Sequence, residues 1–319
     1  MEINELKMLQ ALPLDIKIAK SKLRIEEWYR YFSGKVYVSF SGGKDSTVLL
    51  HLVRSLYPEV VGVYSDTGLE FPEIRNFVKE TENVVWLKPK MNHKEIIKTY
   101  GYPVIGKEVA DCIEGGRKGQ IYRLNRLNGI LKNKDGGKSR YDTSKYKFLM
   151  DAPFKISGKC CNEMKKKPFK LYERESENQP ILGTMTEESQ LREQSYLKTG
   201  CNSFESKRPI SAPISFWNEK DIWNYIKLYN VSYSKIYDMG YERTGCMFCA
   251  FGAHLEKGEN RFQKMQRTHP NQWNYCMKDI SEGGLGMKEV LDFINVPYMN
   301  NVDKKKTSNG IAYQQFKIV

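Results

Sequence analysis

The fold of this 319-residue chain is decided by Lys35-Val36-Tyr37-Val38-Ser39-Phe40-Ser41-Gly42-Gly43-Lys44-Asp45-Ser46. The first six residues carry β-branched and aromatic side chains and predict a strand. Glycines and hydroxyl residues then predict a tight turn, and Thr47–Leu56 predicts a buried helix. Backbone N–H groups at such a turn bind anions, so we expect Ser41–Ser46 to hold phosphate with help from Lys44. The alternative is an ordinary glycine turn capped by Asp45 or Ser46.

The same alternation continues along the chain. Val60–Tyr64 and Val84–Leu87 predict strands, and Pro72–Glu82 between them predicts a helix with proline in its first turn. Pro180–Gly183 resumes the pattern with another strand. Strands that alternate with helices are typical of parallel βαβ units. We therefore predict an α/β fold with a doubly wound, mostly parallel sheet.

Three regions follow from these patterns. Residues 1–34 form an N-terminal helical segment, because Ile18, Ile25, Tyr29 and Phe32 share one helix face. Residues 35–250 form the nucleotide-binding domain, interrupted by a basic insertion at 116–148. Residues 251–319 form a helical C-terminal region with breaks at two prolines.

Composition narrows the class of protein. The hydrophobic fraction is 40% and the charged fraction 28%, which excludes collagen-like, disordered and coiled-coil chains. No apolar run is long enough for a membrane helix, and the first residues lack the pattern of a secretory signal. Seven cysteines in a chain with a sizeable core favour a reducing cytoplasmic setting over disulfides.

The net charge of +13 is concentrated in one place. The insertion at 116–148 has ten basic and two acidic residues, and Tyr122, Tyr141 and Tyr146 lie among them. Basic, aromatic-bearing segments can bind phosphates and stack on bases, which indicates a nucleic-acid partner. A solvated surface loop is the other interpretation, and both stay open.

The phosphate loop lacks the first glycine of a Walker A loop. It resembles the pyrophosphatase loop (PP-loop), Ser-Gly-Gly-x-Asp-Ser, of the adenine-nucleotide α-hydrolase superfamily, and the similarity is greatest to the phosphoadenosine phosphosulfate reductase branch. Asp66-Thr67-Gly68-Leu69-Glu70-Phe71-Pro72-Glu73 resembles the second signature of that family, and Glu187-Glu188-Ser189-Gln190-Leu191-Arg192 resembles a third element. The matches cover roughly Lys35 to Cys249.

The resemblance implies an enzyme that binds ATP or a related adenine nucleotide with Mg²⁺. It implies catalytic roles for Lys44, Asp45, Asp66 and Arg192. The residues that it implies as nucleotide ligands are Ser39, Ser41, Gly42, Gly43, Lys44, Asp45, Ser46, Asp66, Thr67, Gly68, Glu70, Ser189 and Arg192.

Two cysteine pairs suggest a metal centre. Cys160 and Cys161 are adjacent, and Cys246 and Cys249 form a Cys-x-x-Cys. Four converging thiolates suit a 4Fe–4S cluster or zinc, and buried thiols are the third possibility. The arrangement resembles the 4Fe–4S site of the adenylylsulfate reductase subgroup, which implies these four cysteines as ligands.

Two departures from the family bear on its reaction. Relatives carry arginine where this chain has Met185, and they carry a nucleophilic cysteine in an acidic-Cys-Gly-x-His tail that is missing here. Cys276, the last cysteine, lies in an apolar, helix-like context and is a poor nucleophile. Cys112 and Cys201 are also single and are expected to be structural.

Three hypotheses follow. The first is cleavage of ATP between its α- and β-phosphates for sulfur transfer, with a nucleic acid as a candidate acceptor and a partner protein as a candidate sulfur donor or reductant. The second is a sulfonucleotide reductase that uses Cys276 or a partner thiol. The third is a non-catalytic regulator that binds nucleotide and DNA.

Overall fold

The structure is a computed structural model, and it describes residues 2–300. The chain divides into two compact units. Unit 1 comprises Met1–Asn92 and Glu163–Gly245, and unit 2 comprises His93–Asn162 and Cys246–Val319. Residues 301–319 of the predicted helical C-terminal region lie outside the described residues.

The strands, numbered in chain order, are β1 Val36–Ser39, β2 Gly62–Ser65, β3 Val84–Leu87, β4 Val104–Ile105, β5 Gln179–Leu182, β6 Asn202–Ser203, β7 Ile210–Ser211 and β8 Ala250–Phe251. Unit 1 holds a six-stranded sheet in the order β3-β2-β1-β5-β7-β6. Only β6 runs antiparallel to its neighbour. β1 is central, with Val38 beside Gly62 on one side and Ile181 on the other. The predicted α/β fold with a mostly parallel sheet is confirmed.

The α-helices are α1 Ile3–Gln10, α2 Leu14–Tyr31, α3 Lys44–Arg54, α4 Pro72–Glu80, α5 His93–Tyr100, α6 Lys107–Arg117, α7 Ile121–Leu127, α8 Lys167–Ser176, α9 Gln190–Thr199, α10 Glu219–Tyr229, α11 Arg261–Thr268, α12 Pro270–Met277 and α13 Met287–Phe293. Shorter helical turns are 3-10 at Ser144–Asp151, Thr186–Glu188 and Ala253–Leu255, and π at Asn162–Lys166. Among the described residues no helix is long and apolar enough to cross a membrane.

The N-terminal helices belong to unit 1. Leu6, Ile25 and Trp28 are fully buried in the same core cluster as Val38 of β1. A buried ion pair also joins α2 to α10, since Lys17 Nζ lies 2.5 Å from an Asp221 carboxylate oxygen. Residues 1–34, predicted as a separate helical segment, therefore pack their apolar face into the core of the sheet domain.

Unit 2 is assembled from two separated segments. Val104 and Ile105 of β4 pair in parallel with Ala250 and Phe251 of β8. The basic insertion therefore lies in the same unit as the described C-terminal helices. Residues 35–250, predicted as one domain, are thus divided between the two units. A local pattern of strands and helices does not reveal which segments leave the main sheet.

Candidate functional site

The loop after β1 turns sharply into α3 and depends on glycine. Gly42 has a φ of +72°. A Cβ atom there would lie 2.7 Å from Val78 Cγ2 and 3.0 Å from Ile74 Cγ2 on α4. At the end of β5, a Cβ on Gly183 would lie 3.1 Å from the backbone of Ser46. The turn therefore has neither the backbone conformation nor the space for larger residues.

Hydroxyl groups satisfy the polar backbone of this loop. Ser46 Oγ accepts from the amide of Ser41 at 3.1 Å and donates to the Gly43 carbonyl at 2.9 Å. The Gly43 amide donates to Ser41 Oγ at 3.3 Å, and the Lys44 amide donates to Tyr237 Oη at 2.7 Å. Two N–H groups at the start of α3 are thus bound by side-chain oxygens, which phosphate oxygens can replace.

Lys44 is buried and lies between two carboxylates. Its Nζ is 3.3 Å from Glu219 Oε1 and 3.4 Å from Asp45 Oδ1, and it lies 5.7 Å from the centre of the Tyr237 ring. Burial by itself would lower the pKa of Lys44, but Asp45, Tyr237 and Glu219 outweigh it and raise that pKa. The side chain is therefore a fixed cation at the helix start.

The environment of Asp45 disfavours the charged form of its carboxyl. Burial raises the pKa of its carboxyl, Lys44 opposes this, and the neighbouring carboxylates of Glu188 and Glu219 add to the rise. Its Oδ1 atom is buried, and no residue of the described chain donates a hydrogen bond to it. The carboxyl of Asp45 therefore lies near the carboxylates of Glu188 and Glu219 and beside one lysine, Lys44.

The third family-like element reaches this region through Glu188. Arg192 forms an ion pair with Glu188, and the Arg192 amide donates to Ser189 Oγ, which caps α9. Glu188 is near enough to raise the pKa of Asp45. The structure therefore brings the carboxylate of this element to the loop, while the guanidinium of Arg192 is paired and half-exposed.

The second signature forms a closed turn after β2. Arg75 binds the Asp66 carboxylate through two nitrogens, with Nη2 to Oδ2 at 2.9 Å and Nε to Oδ1 at 3.2 Å. Thr67 Oγ1 donates to the Glu70 carboxylate at 2.7 Å, and Gly68 has a φ of +70°. Asp66 is therefore held by Arg75, and Glu70 closes the turn.

A pocket of about 110 Å³ opens between the carboxyl ends of β1 and β2. Its polar lining includes Ser39, Ser41, Glu70 and Lys165. The hydroxyl of Tyr64 also lines it, is buried, and meets no hydrogen-bond partner within residues 2–300. Ligands of doubly wound sheets bind at this edge. The pocket joins the phosphate loop to the second signature, as their positions after neighbouring strands predict.

All four predicted metal ligands lie in unit 2. Cys160 and Cys161 begin a helical turn, and Cys246 accepts a backbone hydrogen bond from Cys249 at 3.1 Å. Burial, together with the nearby thiols of Cys246 and Cys161, raises the pKa of Cys249 to about 12. Within the described chain, no three His, Cys, Asp or Glu side chains are arranged to hold a metal ion.

The single cysteines lie in protected positions. Cys276 is fully buried, and burial raises its pKa well above the usual range of a thiol. Burial likewise raises the pKa of Cys201 to about 11, and Cys112 is buried beside Thr143. None of the three is exposed as a nucleophilic thiol would be.

Sequence reasoning did not identify several residues around Lys44. Tyr237 caps its amide, Glu219 contacts its ammonium group, and Thr244 lies 2.8 Å from where a Gly43 side chain would begin. The one available signal for Tyr237 is that it lies within the stretch from Lys35 to Cys249 over which the sequence resembles the family. The other contacts depend on how α10 and the chain after it fold back onto the loop.

Comparisons with known proteins identify relatives of this chain. The model of the phosphoadenosine phosphosulfate reductase domain matches residues 35–112 and 120–251. An uncharacterized protein of Methanocaldococcus jannaschii is 27% identical over 86% of this chain, which spans only 56% of that relative. An adenosine 5'-phosphosulfate reductase of Bacillus cereus is 21% identical, over 76% of this chain and 84% of the relative. The crystal structure of phosphoadenylyl-sulfate reductase from Candida auris covers 77% of this chain and 96% of its own at 15% identity, with a TM-score of 0.42.

The close approach of Gly42 to α4 leads to a stability prediction. Gly42→Ala should lower the free energy of unfolding by about 2–4 kcal/mol, because it adds steric overlap to the cost of a positive φ. Urea denaturation followed by circular dichroism measures this. Gly240→Ala is the matched control, since Gly240 has a φ of +83° and open space around it. It should cost about 1–2 kcal/mol, and equal losses for the two variants would contradict the packing argument.

The raised pKa of Asp45 leads to a second prediction, on pH dependence. The folded state holds this proton more tightly than the unfolded chain, so the carboxyl contributes stability at low pH that is lost as the pH rises through its folded-state pKa. Asp45→Asn should therefore raise the free energy of unfolding at neutral pH by up to about 1 kcal/mol. The gain should vanish below the ordinary aspartate pKa of about 4.

The control is Asp15→Asn, which removes an exposed carboxylate from the first turn of α2. It should lower stability by a few tenths of a kcal/mol through the helix dipole. A loss of stability for Asp45→Asn at neutral pH would show that Lys44 outweighs the acidic neighbours of Asp45.

Proposed function

Because this chain belongs to the phosphoadenosine phosphosulfate reductase domain family, we propose that unit 1 is an adenine-nucleotide-dependent catalytic domain. Its phosphate site is Ser41–Ser46, and its reaction is cleavage of ATP between the α- and β-phosphates. The activated product then serves sulfur transfer. The chain spans about half the length of the M. jannaschii relative, so the whole protein's acceptor is part of this proposal.

One observation carries the proposal. The Gly43 and Lys44 amides at the start of α3 are held by hydroxyl oxygens 3.3 and 2.7 Å away, and the Lys44 ammonium lies buried at the same helix start. Amides, a helix dipole and a desolvated cation together favour an oxyanion. When a nucleotide binds, its phosphate oxygens replace the hydroxyls of Ser41 and Tyr237 as acceptors.

The acidic surroundings of Lys44 favour a nucleotide that arrives with its own cation. Asp45 and Glu219 lie within 3.4 Å of the ammonium group, and Glu188 is close to Asp45. A bare anion would be repelled by these carboxylates, whereas Mg²⁺ binds through one or two carboxylates together with nucleotide phosphates. Asp45 is the carboxylate that fits this role, because its buried Oδ1 accepts no hydrogen bond from the described chain. Bound Mg²⁺ would supply charge neutralisation between the phosphates.

The bond changes in this reaction are simple. An oxygen of the acceptor forms a bond to the α-phosphorus, the bridging oxygen between the α- and β-phosphates leaves with pyrophosphate, and the acceptor's proton passes to solvent. Negative charge that develops on the phosphate oxygens is stabilised by Lys44 and by the amides of Gly43 and Lys44. Holding the acceptor and nucleotide in place supplies the remaining rate enhancement.

The cysteines of unit 2 have the donor chemistry of an iron–sulfur ligand set, although no three His, Cys, Asp or Glu side chains of residues 2–300 are arranged in this structure to hold a metal ion. Four cysteines from two chain segments lie in this unit, and the Cys249 thiol has a raised pKa because it is buried near Cys246 and Cys161. A metal cluster would relieve the repulsion between these thiolates. We propose that Cys160, Cys161, Cys246 and Cys249 hold a 4Fe–4S cluster, with zinc as the alternative. Such a cluster would supply electron or sulfide chemistry.

Reduction of a sulfonucleotide is the second candidate, and the names of the relatives favour it. In that reaction a thiolate attacks the sulfur of the sulfonucleotide, and the nucleotide leaves with the bridging oxygen. A second thiol then attacks the sulfur of the first, which releases sulfite and joins the two sulfurs as a disulfide. Cys276 and Cys201 are unsuited to the first step, because burial raises their pKa values. Under this candidate the attacking thiol comes from a partner protein.

A third prediction tests the phosphate loop. With α-labelled ATP and Mg²⁺, the protein should release AMP or an adenylated acceptor together with pyrophosphate, and Lys44→Ala should lower kcat/KM at least about 100-fold. Lys20→Ala, which changes an exposed lysine of α2 in the same unit, should leave the rate unchanged. Thin-layer chromatography of the label measures the products.

The same preparation distinguishes the two candidates. Release of sulfite from phosphoadenylyl sulfate with a dithiol donor, without pyrophosphate release from ATP, would favour the reductase. Full activity of Lys44→Ala on either substrate would exclude the loop as the phosphate site.

A fourth prediction concerns the metal. The protein purified without oxygen should be brown, absorb broadly near 400 nm and contain about four iron atoms per chain. Cys160→Ser with Cys161→Ser should remove the iron, whereas Cys201→Ser, a single cysteine of unit 1, should retain it. Elemental analysis and the absorption spectrum measure both. A colourless wild-type protein that contains only zinc would contradict the iron–sulfur proposal.

A further inference from the structure

The basic insertion of unit 2 contains two kinds of cation. Arg117 donates hydrogen bonds to the carbonyls of Leu149, Met150, Ala152 and Phe154. Arg126 is buried, is paired with Glu108, and donates to the Tyr141 carbonyl at 2.7 Å. These two arginines hold the insertion together and are not available to a partner.

A second group faces solvent. Five exposed cations form no ion pair with any residue in the range 2–300, and they are Lys132, Lys134, Arg140, Lys145 and Lys147. The first two lie on a small hairpin, in which residues 132 and 138 pair and Gly136 turns the chain with a φ of +79°. The hairpin therefore presents charge that no described acidic group neutralises.

Two tyrosine rings of the insertion share a contact with the buried Arg126, and the second also contacts the exposed Arg140. Tyr122 is 54% exposed and Tyr141 is 46% exposed. The buried guanidinium of Arg126 lies 6.0 Å from the first ring and 5.8 Å from the second, while Arg140 lies 4.7 Å from Tyr141. Arg126 is itself fixed by Glu108, so both rings contact a held guanidinium while about half of each side chain stays exposed.

We infer that this surface binds single-stranded nucleic acid. Its exposed lysines, which form no ion pair with residues 2–300, can bind phosphates, and its half-exposed tyrosines offer rings on which unpaired bases can stack. Bases in a duplex are already stacked on each other, so a double strand could use only the charges. The partner is separate from the nucleotide of unit 1, and the inference stands whether or not ATP is cleaved.

Fluorescence anisotropy of the full chain with a labelled single-stranded RNA of about 20 residues tests the inference. Tyr141→Ala should weaken binding about tenfold, since stacking contributes about 1–3 kcal/mol per base. Tyr141→Trp should preserve binding, which separates stacking from a folding defect. Lys132→Glu with Lys134→Glu should reduce the slope of log affinity against log salt by about 1.4, which corresponds to two phosphate contacts.

The matched control is Lys7→Glu with Lys20→Glu, which makes the same change in net charge on exposed residues of unit 1. Its affinity should stay within about twofold of the wild type, because these charges lie outside the proposed surface. If the two double variants lost the same affinity for RNA, net charge alone would explain the loss, and the inference would be overturned. Unchanged binding by Tyr141→Ala, or equal affinity for a duplex or for heparin at the same salt concentration, would also overturn it.

Discussion

The structure of unit 1 depends on the lack of space between the turn after β1 and helix α4. Gly42 adopts a positive φ, and any side chain there would overlap Val78. This close approach allows β1 to pass into α3 within a few residues, so the start of α3 lies at the carboxyl edge of the sheet. The position of Lys44 and of the N–H groups around it follows from that turn.

Charge at this edge is balanced locally. Lys44 is desolvated, yet Asp45 and Glu219 keep it charged, and its pKa is raised. The charged form of Asp45 is disfavoured in return, because burial and its acidic neighbours raise the pKa of its carboxyl. This sharing of one cation among several carboxylates is the observation behind the proposal of a ligand that adds both phosphate and a divalent cation.

Unit 2 brings together features that are far apart in the chain. β4 and β8 pair, which places the segment with Cys160 and Cys161 in the same compact unit as Cys246 and Cys249. The basic insertion belongs to this unit as well. The basic residues of the insertion fall into two groups. Arg117 and Arg126 form hydrogen bonds and an ion pair within the unit, whereas the hairpin lysines remain exposed. The proposed metal centre depends on cysteines that are distant in the sequence, and the proposed nucleic-acid surface depends on which basic residues stay exposed. Local sequence shows neither of these.

By itself the sequence determined the order of strands and helices around the sheet, the glycine turn at Gly42 and the edge at which Asp66 follows a neighbouring strand. These features follow from short-range periodicity and backbone sterics, which are local. Only the tertiary structure decided that Tyr237 caps the Lys44 amide, that Asp66 is held by Arg75, and that the N-terminal helices belong to the sheet domain. Such contacts join distant residues, and their energies depend on packing and burial that no spacing along the chain encodes.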